Sequence, residues 1–284
     1  MSSKCFALAF SSGDQSSAYQ AGVIQGFAQT MAASDMAYTA VSGVSGGAVN
    51  SVLMANYEVG QESTAADRMV QFWSDSATTD LYKDWVGGIA NGLLFKGGLW
   101  NDAPTLDFLK SELSDVAAVH RWIDIGLTDV LQGKYSDFTE SQLTGDELYN
   151  VLYAEFAQAG FFPPVEYEGT SWFDGSTIWD LDVFSVVNKC QETHADADIV
   201  VDVVLTSEKT LPVVDASEYK SLQMLWRYLK VARYYSSMDG LLRAQFAYPN
   251  ITFRHIVAPT GDLPSSIYPL VSTKYLFHHY YSLF

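Results

Sequence analysis

The chain has 284 residues, 48% of them hydrophobic and 17% charged, which leaves room for a sizeable core and argues against a disordered polymer. Sixteen Lys and Arg face 33 Asp and Glu, a formal net charge of −17. That balance argues against nucleic acid as a partner, since phosphate binding needs clustered cations, and disfavours electrostatic docking on anionic lipid.

In chain order, "CFALAFSS" (5–12) is an apolar run closed by Ser and Gly, the pattern of a buried parallel strand. "SSAYQAGVIQGFAQTMAA" (16–33) spaces Tyr19, Val23, Phe27 and Met31 as a helix does. "YTAVS" (38–42) reads as the next strand and "GGAVNSVLMAN" (46–56) as the next helix, so the amino-terminal third has the βαβα order of a parallel sheet covered on both faces. A helix is expected over 65–75. Residues 81–100, "LYKDWVGGIANGLLFKGGLW", are apolar, aromatic and punctuated by glycine, and read either as a buried connector or as a mobile apolar cap. "APTLDFLKSEL" (103–113) begins a helix with Pro in its first turn. A strand entering a turn is expected over 121–133, a helix ending in glycine over 145–160, and extended chain over 161–176, where two prolines forbid helix. "ADIVVDVVLT" (197–206) is the clearest buried strand; 217–245 reads as helix and 251–259 as strand. The tail carries many aromatics and is a candidate oligomer contact. No repeat, linker or break in composition divides the chain, so one domain spanning 1–284 is expected.

Cys5 and Cys190 are too few for a disulfide scaffold and show no metal-ligand spacing; they read as two buried thiols or, in a secreted chain, one bridge. Asn250-Ile251-Thr252 is a glycosylation triplet of a kind common by chance. "CFALAF" is too short for a signal-peptide core, and no 18-residue apolar run is present, so a soluble protein is expected.

The chemistry centres on Gly43-Val44-Ser45-Gly46-Gly47, a G-x-S-x-G pattern between a strand and a helix. A serine there sits on a strained turn that exposes its hydroxyl, while Gly43 and Gly47 let neighbouring backbone approach and the helix dipole faces any oxyanion. The bland alternative is a plain tight turn. Serine needs a base. The five histidines, His120, His194, His255, His278 and His279, follow no recognisable turn, although a histidine-dependent esterase using one of the last three remains a third reading. Asp174 in "SWFDGSTIW" is the other candidate, because apolar neighbours Trp172, Phe173, Ile178 and Trp179 would desolvate it and raise its basicity. Read blandly, Asp174-Gly175 is a hairpin turn.

From Cys5 to about residue 260 the chain resembles the patatin-like phospholipase family. "SGVSGGAVNS" is similar to that family's elbow, "AYQAGVIQGF" to the helix after its oxyanion loop, "IDIGLTDVLQG" to the strand between its motifs, and "AEFAQAGFFPPVEYEGTSWFDGS" to the stretch that ends in Asp-Gly-Gly. The resemblance implies a three-layer α/β/α fold with a mostly parallel central sheet. It further implies a Ser45–Asp174 dyad that hydrolyses acyl lipids through an acyl-enzyme, with no metal and no cofactor. Partners would be an acyl lipid substrate and, through it, the surface of a membrane or lipid aggregate. The chain departs from the family where the oxyanion loop has a form like Gly-Gly-Gly-x-Arg/Lys-Gly. Here the window is Ser12, Gly13, Asp14, Gln15, Ser16 and Ser17, so the backbone N–H groups of Gly13 and Asp14 are the candidate donors and the cation is replaced by Ser16. Asp tolerates left-handed conformations better than most residues, but its charge opposes a nearby oxyanion. Two functions therefore stand: a lipid acyl hydrolase with a remodelled oxyanion hole, or a non-catalytic relative that binds lipid or assembles.

Overall fold

In the computed structural model, which describes residues 4–116, 119–261 and 263, eight strands form one sheet flanked by helices. Strands β1 (Cys5–Phe10), β2 (Tyr38–Gly43), β3 (Trp122–Asp129), β4 (Lys134–Thr139), β5 (Val165–Tyr167), β6 (Thr170–Phe173), β7 (Ile199–Val204) and β8 (Thr252–Val257) run in the order β5-β6-β3-β2-β1-β7-β8, with β4 alongside β3. The pairs β1–β2, β1–β7, β2–β3 and β7–β8 are parallel. The hairpin strands around β3 are antiparallel.

Alternation along β1 explains the layers. Phe6, Leu8 and Phe10 face a core shared with helices α1 (Ala18–Thr30), α2 (Gly46–Ala55), α3 (Glu62–Ser76), α5 (Ala103–Glu112) and α6 (Gly145–Glu155). The short α4 (Gly88–Phe95) lies between α3 and α5 in sequence. Cys5, Ala7 and Ala9 face a second core with α7 (Phe184–Gln191) and with Leu241 and Ala244 of α8 (Ser221–Ala247). A strand buried on both faces must be apolar throughout, which is why "CFALAF" carries no polar alternation. Cys5 and Cys190 are joined by a disulfide between β1 and α7, deciding between the two readings of that pair. Among the described residues no helix is long and apolar enough to cross a membrane.

Several expectations need correction. The first helix begins at Ala18 rather than residue 16, because Asp14–Ser17 forms a tight 3₁₀ turn. The strand expected to enter a turn over 121–133 does so as β3, but the β4 that follows the turn was not expected, being half-exposed and too polar to announce itself by periodicity. Residues 81–100 are not a buried connector: Leu93, Leu94 and Phe95 are 70%, 68% and 77% exposed. Asp174-Gly175 is not a hairpin turn, because β5 and β6 turn at Glu168-Gly169, both at positive φ (52° and 75°). The aromatic tail, with His278 and His279, lies outside the described residues.

The register along β3 positions Ser45 and Asp174. β4 covers β3 along Asp124–Asp129, so β2 and β6 must share the other edge. β2 takes its first half, pairing Gly43 with Ile125, and β6 takes its far end, pairing Phe173 with Thr128. The two strands approach this edge from opposite directions, so the chains leaving Gly43 and Phe173 converge opposite Gly126. The contact is tight enough that a Cβ on Gly175 would lie 1.8 Å from the Gly126 carbonyl oxygen and 3.2 Å from Val44 Cγ1. Thr128 Oγ1 donates to the Asp174 carbonyl at 3.1 Å.

Candidate active site

Ser45 sits between β2 and α2 at φ 58° and ψ −130°. A non-glycine residue there costs on the order of 1–3 kcal/mol, and such strain persists only where packing imposes it. The packing is visible at Gly43, where a Cβ would lie 2.2 Å from the Gly47 carbonyl oxygen. Backbone bonds from Gly47 N–H to Val44 O and from Ala48 N–H to Ser45 O, each 2.9 Å, start the helix directly under the serine. Among the described residues only three non-glycines adopt positive φ: Glu168 at the hairpin turn, Ser45, and Asp14 at 48°. Asp14 thus adopts a left-handed conformation, which its short polar side chain tolerates.

The loop carrying Gly13 and Asp14 is pinned to the elbow helix by buried amides. Asn50 Nδ2 donates to Ser17 O and to Gln20 Oε1, both at 2.9 Å, while Asn50 Oδ1 accepts from Trp73 Nε1 at 2.8 Å. Gln20 Nε2 in turn donates to Ser11 O at 2.8 Å and Val204 O at 3.1 Å. No hydrogen bond among the described residues takes up the N–H of Gly13, Asp14 or Gly46. The Gly46 N–H, directly after the serine, is a donor that pattern reading overlooked although elbows of this kind regularly use it.

Asp174 follows β6 and is 1% exposed, as is Ser45. Its Oδ1 accepts from Ser176 N–H at 2.7 Å. Asp174 Oδ2 and Ser45 Oγ are both buried without a partner at normal hydrogen-bond geometry. Even so, the Ser45 hydroxyl stands close enough to stabilise the ionised carboxyl. Burial first, and the charge of Asp14 second, push the Asp174 pKa up to about 6, against the lowering effects of Ser176 and Ser45. A carboxyl with that pKa is ionised at neutral pH yet far more basic than a solvated aspartate.

Glu155, at the end of α6, was missed. It is 1% exposed, and its Oε2 accepts from Gly175 N–H at 3.1 Å. Burial, then the charge of Asp174, drive its pKa well above the carboxylate range, while the N–H groups of Gly175 and Ser45 work the other way. Those two N–H groups make it a bridge between the elbow and the Asp174 turn. The signal was present in the sequence: Leu148, Val151, Leu152 and Glu155 share one helical stripe, and a charged residue on a core face requires a reason. Glu155→Gln is expected to keep the melting temperature near wild type, because the amide still accepts from Gly175. Glu155→Ala leaves that donor unpaired, costing about 1–3 kcal/mol and several degrees in thermal unfolding. Equal losses in the two variants would contradict acceptance from Gly175 as the structural part of this side chain.

The remaining candidates are elsewhere. His255 Nδ1 is 3.1 Å from Asp202 Oδ1 and its ring packs on Phe27. His120 pairs with Glu58 and donates its N–H to Ala55 O, at the end of α2 opposite Ser45, about 15 Å along the helix. His194 lies half-buried beyond α7 beside Thr193. Among the described residues, Asp124, Asp137 and Asp182 bring carboxylate oxygens within 4.8 Å of one another. Burial, then Asp182 and Asp137, push Asp124 up to about 8, so protonation already relieves that repulsion.

Above Asp174 opens a cavity of about 700 Å³. Gly13, Gln158, Asp174, Ser176, Trp226 and Arg233 are part of its wall, whereas Ser45 is not. A carbonyl held in this cavity could reach Asp174 and the loop donors, and the neighbouring elbow would supply the nucleophile.

A family model described as patatin-like phospholipase matches residues 8–184, a span that includes Gly13, Asp14, Ser45 and Asp174. Among solved structures, the chain is similar to VipD from Legionella pneumophila at 11% identity and a TM-score of 0.39, over 86% of this chain and 56% of that one. It thus spans little more than half of that protein. No curated protein matches the chain in sequence.

Proposed function

The chain belongs to the patatin-like phospholipase family, and from that premise we propose that it is a lipid acyl hydrolase with Ser45 as nucleophile and Asp174 as its base. The observation that carries this reading is a strained serine beside a buried carboxyl, each with an oxygen that no other group satisfies. Buried polar atoms are ordinarily paired, and the exceptions call for an explanation such as catalysis.

Ser45 Oγ attacks the ester carbonyl carbon as its proton passes to Asp174. The carbonyl oxygen becomes an oxyanion facing the N–H groups of Gly46, Gly13 and Asp14. Collapse breaks the bond to the alcohol, which leaves with the proton from Asp174, and an acyl-serine remains. Water then gives a proton to Asp174 and attacks the acyl carbon. Release of the fatty acid returns that proton to Ser45. One carboxyl suffices because it alternates between base and acid.

A fluorophosphonate should attach covalently to the peptide bearing Ser45, read by mass spectrometry. Absence of label on the folded protein would instead favour the non-catalytic alternative, a member that keeps the fold to bind lipid or to assemble. The exposed face of α4 supplies a means of reaching a lipid surface without cations, which suits a chain of net charge −17. Replacing Leu93, Leu94 and Phe95 together by Ser is expected to weaken binding to zwitterionic vesicles by at least about tenfold. Hydrolysis of a soluble ester should be spared, and equal loss on both would assign the segment to the stability of the fold.

A further inference from the structure

The basic residue of the family's glycine-rich loop is Ser16 in this chain, and Asp14 places a carboxylate in the same loop. A cation nonetheless stands there, delivered by another element. Arg233, on α8, donates from Nη1 to Asp14 Oδ2 at 3.3 Å, and its Nε lies 3.7 Å from Asp180 Oδ1. The arrangement around it is built rather than incidental. Gln158 Nε2 donates to the second oxygen of Asp14. Asp180 accepts from the hydroxyls of Ser12 and Ser237, and its carbonyl accepts from Ser12 N–H at 2.8 Å. The loop is therefore tied on both sides of Gly13 to acids that hold one guanidinium. That guanidinium, 26% exposed, shares the cavity wall with Gly13 and Asp174.

Charge makes the case stronger. Asp14, Asp174 and Asp180 crowd a place where hydrolysis would develop a further negative charge. Burial disfavours a charged Arg233, but the three carboxylates outweigh it and hold the guanidinium firmly protonated. We propose that Arg233 is a positioning cation for the oxyanion loop: it holds Asp14 in its left-handed turn and offsets its charge, occupying in space the role that a basic loop residue has in the family's sequence pattern. The inference rests on the hydrolase reading above. It goes beyond that reading by assigning a part to a residue outside the span that the family model matches.

The test measures kcat, KM and melting temperature for wild type, Arg233→Gln, Arg233→Lys, Asp14→Asn and the Asp14→Asn/Arg233→Gln pair. The substrate is a soluble p-nitrophenyl ester, followed over the pH range in which Asp174 titrates. The groups facing Asp174 are Asp14 from the loop after β1, Glu155 from α6, Ser45 from the elbow, Ser176 from its own turn and Arg233 from α8. Of these, only Asp14 and Arg233 change charge in the series. Arg233→Gln should lower kcat by about 10²-fold, the scale of losing one oxyanion stabiliser, and leave KM within about threefold. Its acid limb should move to higher pH, because the base loses a facing cation. Arg233→Lys should recover part of the rate, and Asp14→Asn, alone or in the pair, should move the limb to lower pH. A limb and kcat unchanged in Arg233→Gln overturn the proposal and leave the hydrolase reading intact. So does a loss that tracks melting temperature at every pH and is not recovered by Lys. If Arg233→Gln does not fold, Asp14→Asn decides the matter, and a limb that stays with wild type there overturns it, because the charge that Arg233 is proposed to offset would then not reach Asp174. Wild-type hydrolysis no faster than that of Ser45→Ala overturns both the hydrolase reading and this proposal.

Discussion

Ser45→Ala is expected to lower kcat/KM by about 10⁴-fold or more, equally on lipid and soluble esters. The magnitude follows from the kind of catalysis involved. Without the hydroxyl no acyl-enzyme forms, and what remains is the slower attack of water on a carbonyl held near the loop N–H groups. Alanine leaves the elbow's neighbours undisturbed: Ser45 Oγ has no hydrogen-bond partner at normal geometry, so its removal unpairs nothing. Alanine at φ 58° is somewhat strained, as serine is. Melting temperature should therefore stay within a few degrees of wild type. Residual hydrolysis above a hundredth of wild type, with the substitution verified, would point to another nucleophile.

Asp174→Asn should be nearly as severe, lowering kcat by about 10³–10⁴-fold. The amide is close in shape and keeps an oxygen for Ser176 N–H, but it cannot take the serine's proton. The pH profile carries the sign. Because the base must be ionised, wild-type kcat/KM should be low below about pH 6, where Asp174 is protonated, and reach its plateau above. Asp174→Asn should lose that limb along with its rate. A variant that keeps the limb would place the titrating base elsewhere, with Glu155, the buried acid bridging Gly175 and the elbow, the first residue to examine. Such an outcome would leave the family assignment untouched while reassigning the proton transfer.

How legible these parts were depended on how far their causes reach along the chain. The β2–elbow–α2 unit was readable because a strand, a strained serine and a helix start are all imposed within about twenty residues. The left-handed turn at Asp14 was not, because a side chain that tolerates such a conformation does not by itself impose it. Buried strands such as β1 and β7 were clear, since burial on both faces demands unbroken apolar runs. β4 was not, because Lys134, Ser136 and Asp137 put polar residues on both of its faces and leave no apolar alternation to read. Residues 81–100 were ambiguous for a related reason: apolar composition does not distinguish a segment that is covered from one that is left bare. Glu155 was legible in principle, as an acid on an apolar stripe, but its meaning required knowing that Gly175 lies above it.

The sequence by itself determined the buried strands β1, β2 and β7, the helices α1 and α2, a serine on a tight turn and an aspartate among apolar neighbours, because backbone sterics and hydrophobic periodicity act over a few residues. Only the tertiary structure decided which groups meet. The shared edge of β3 directs Gly43 and Phe173 toward Gly126 from opposite directions. The long α8 returns a guanidinium to a loop that has no cation of its own. Neither meeting leaves a local trace, since strand register and helix packing are set by the burial of whole faces rather than by the residues that happen to face one another across the site.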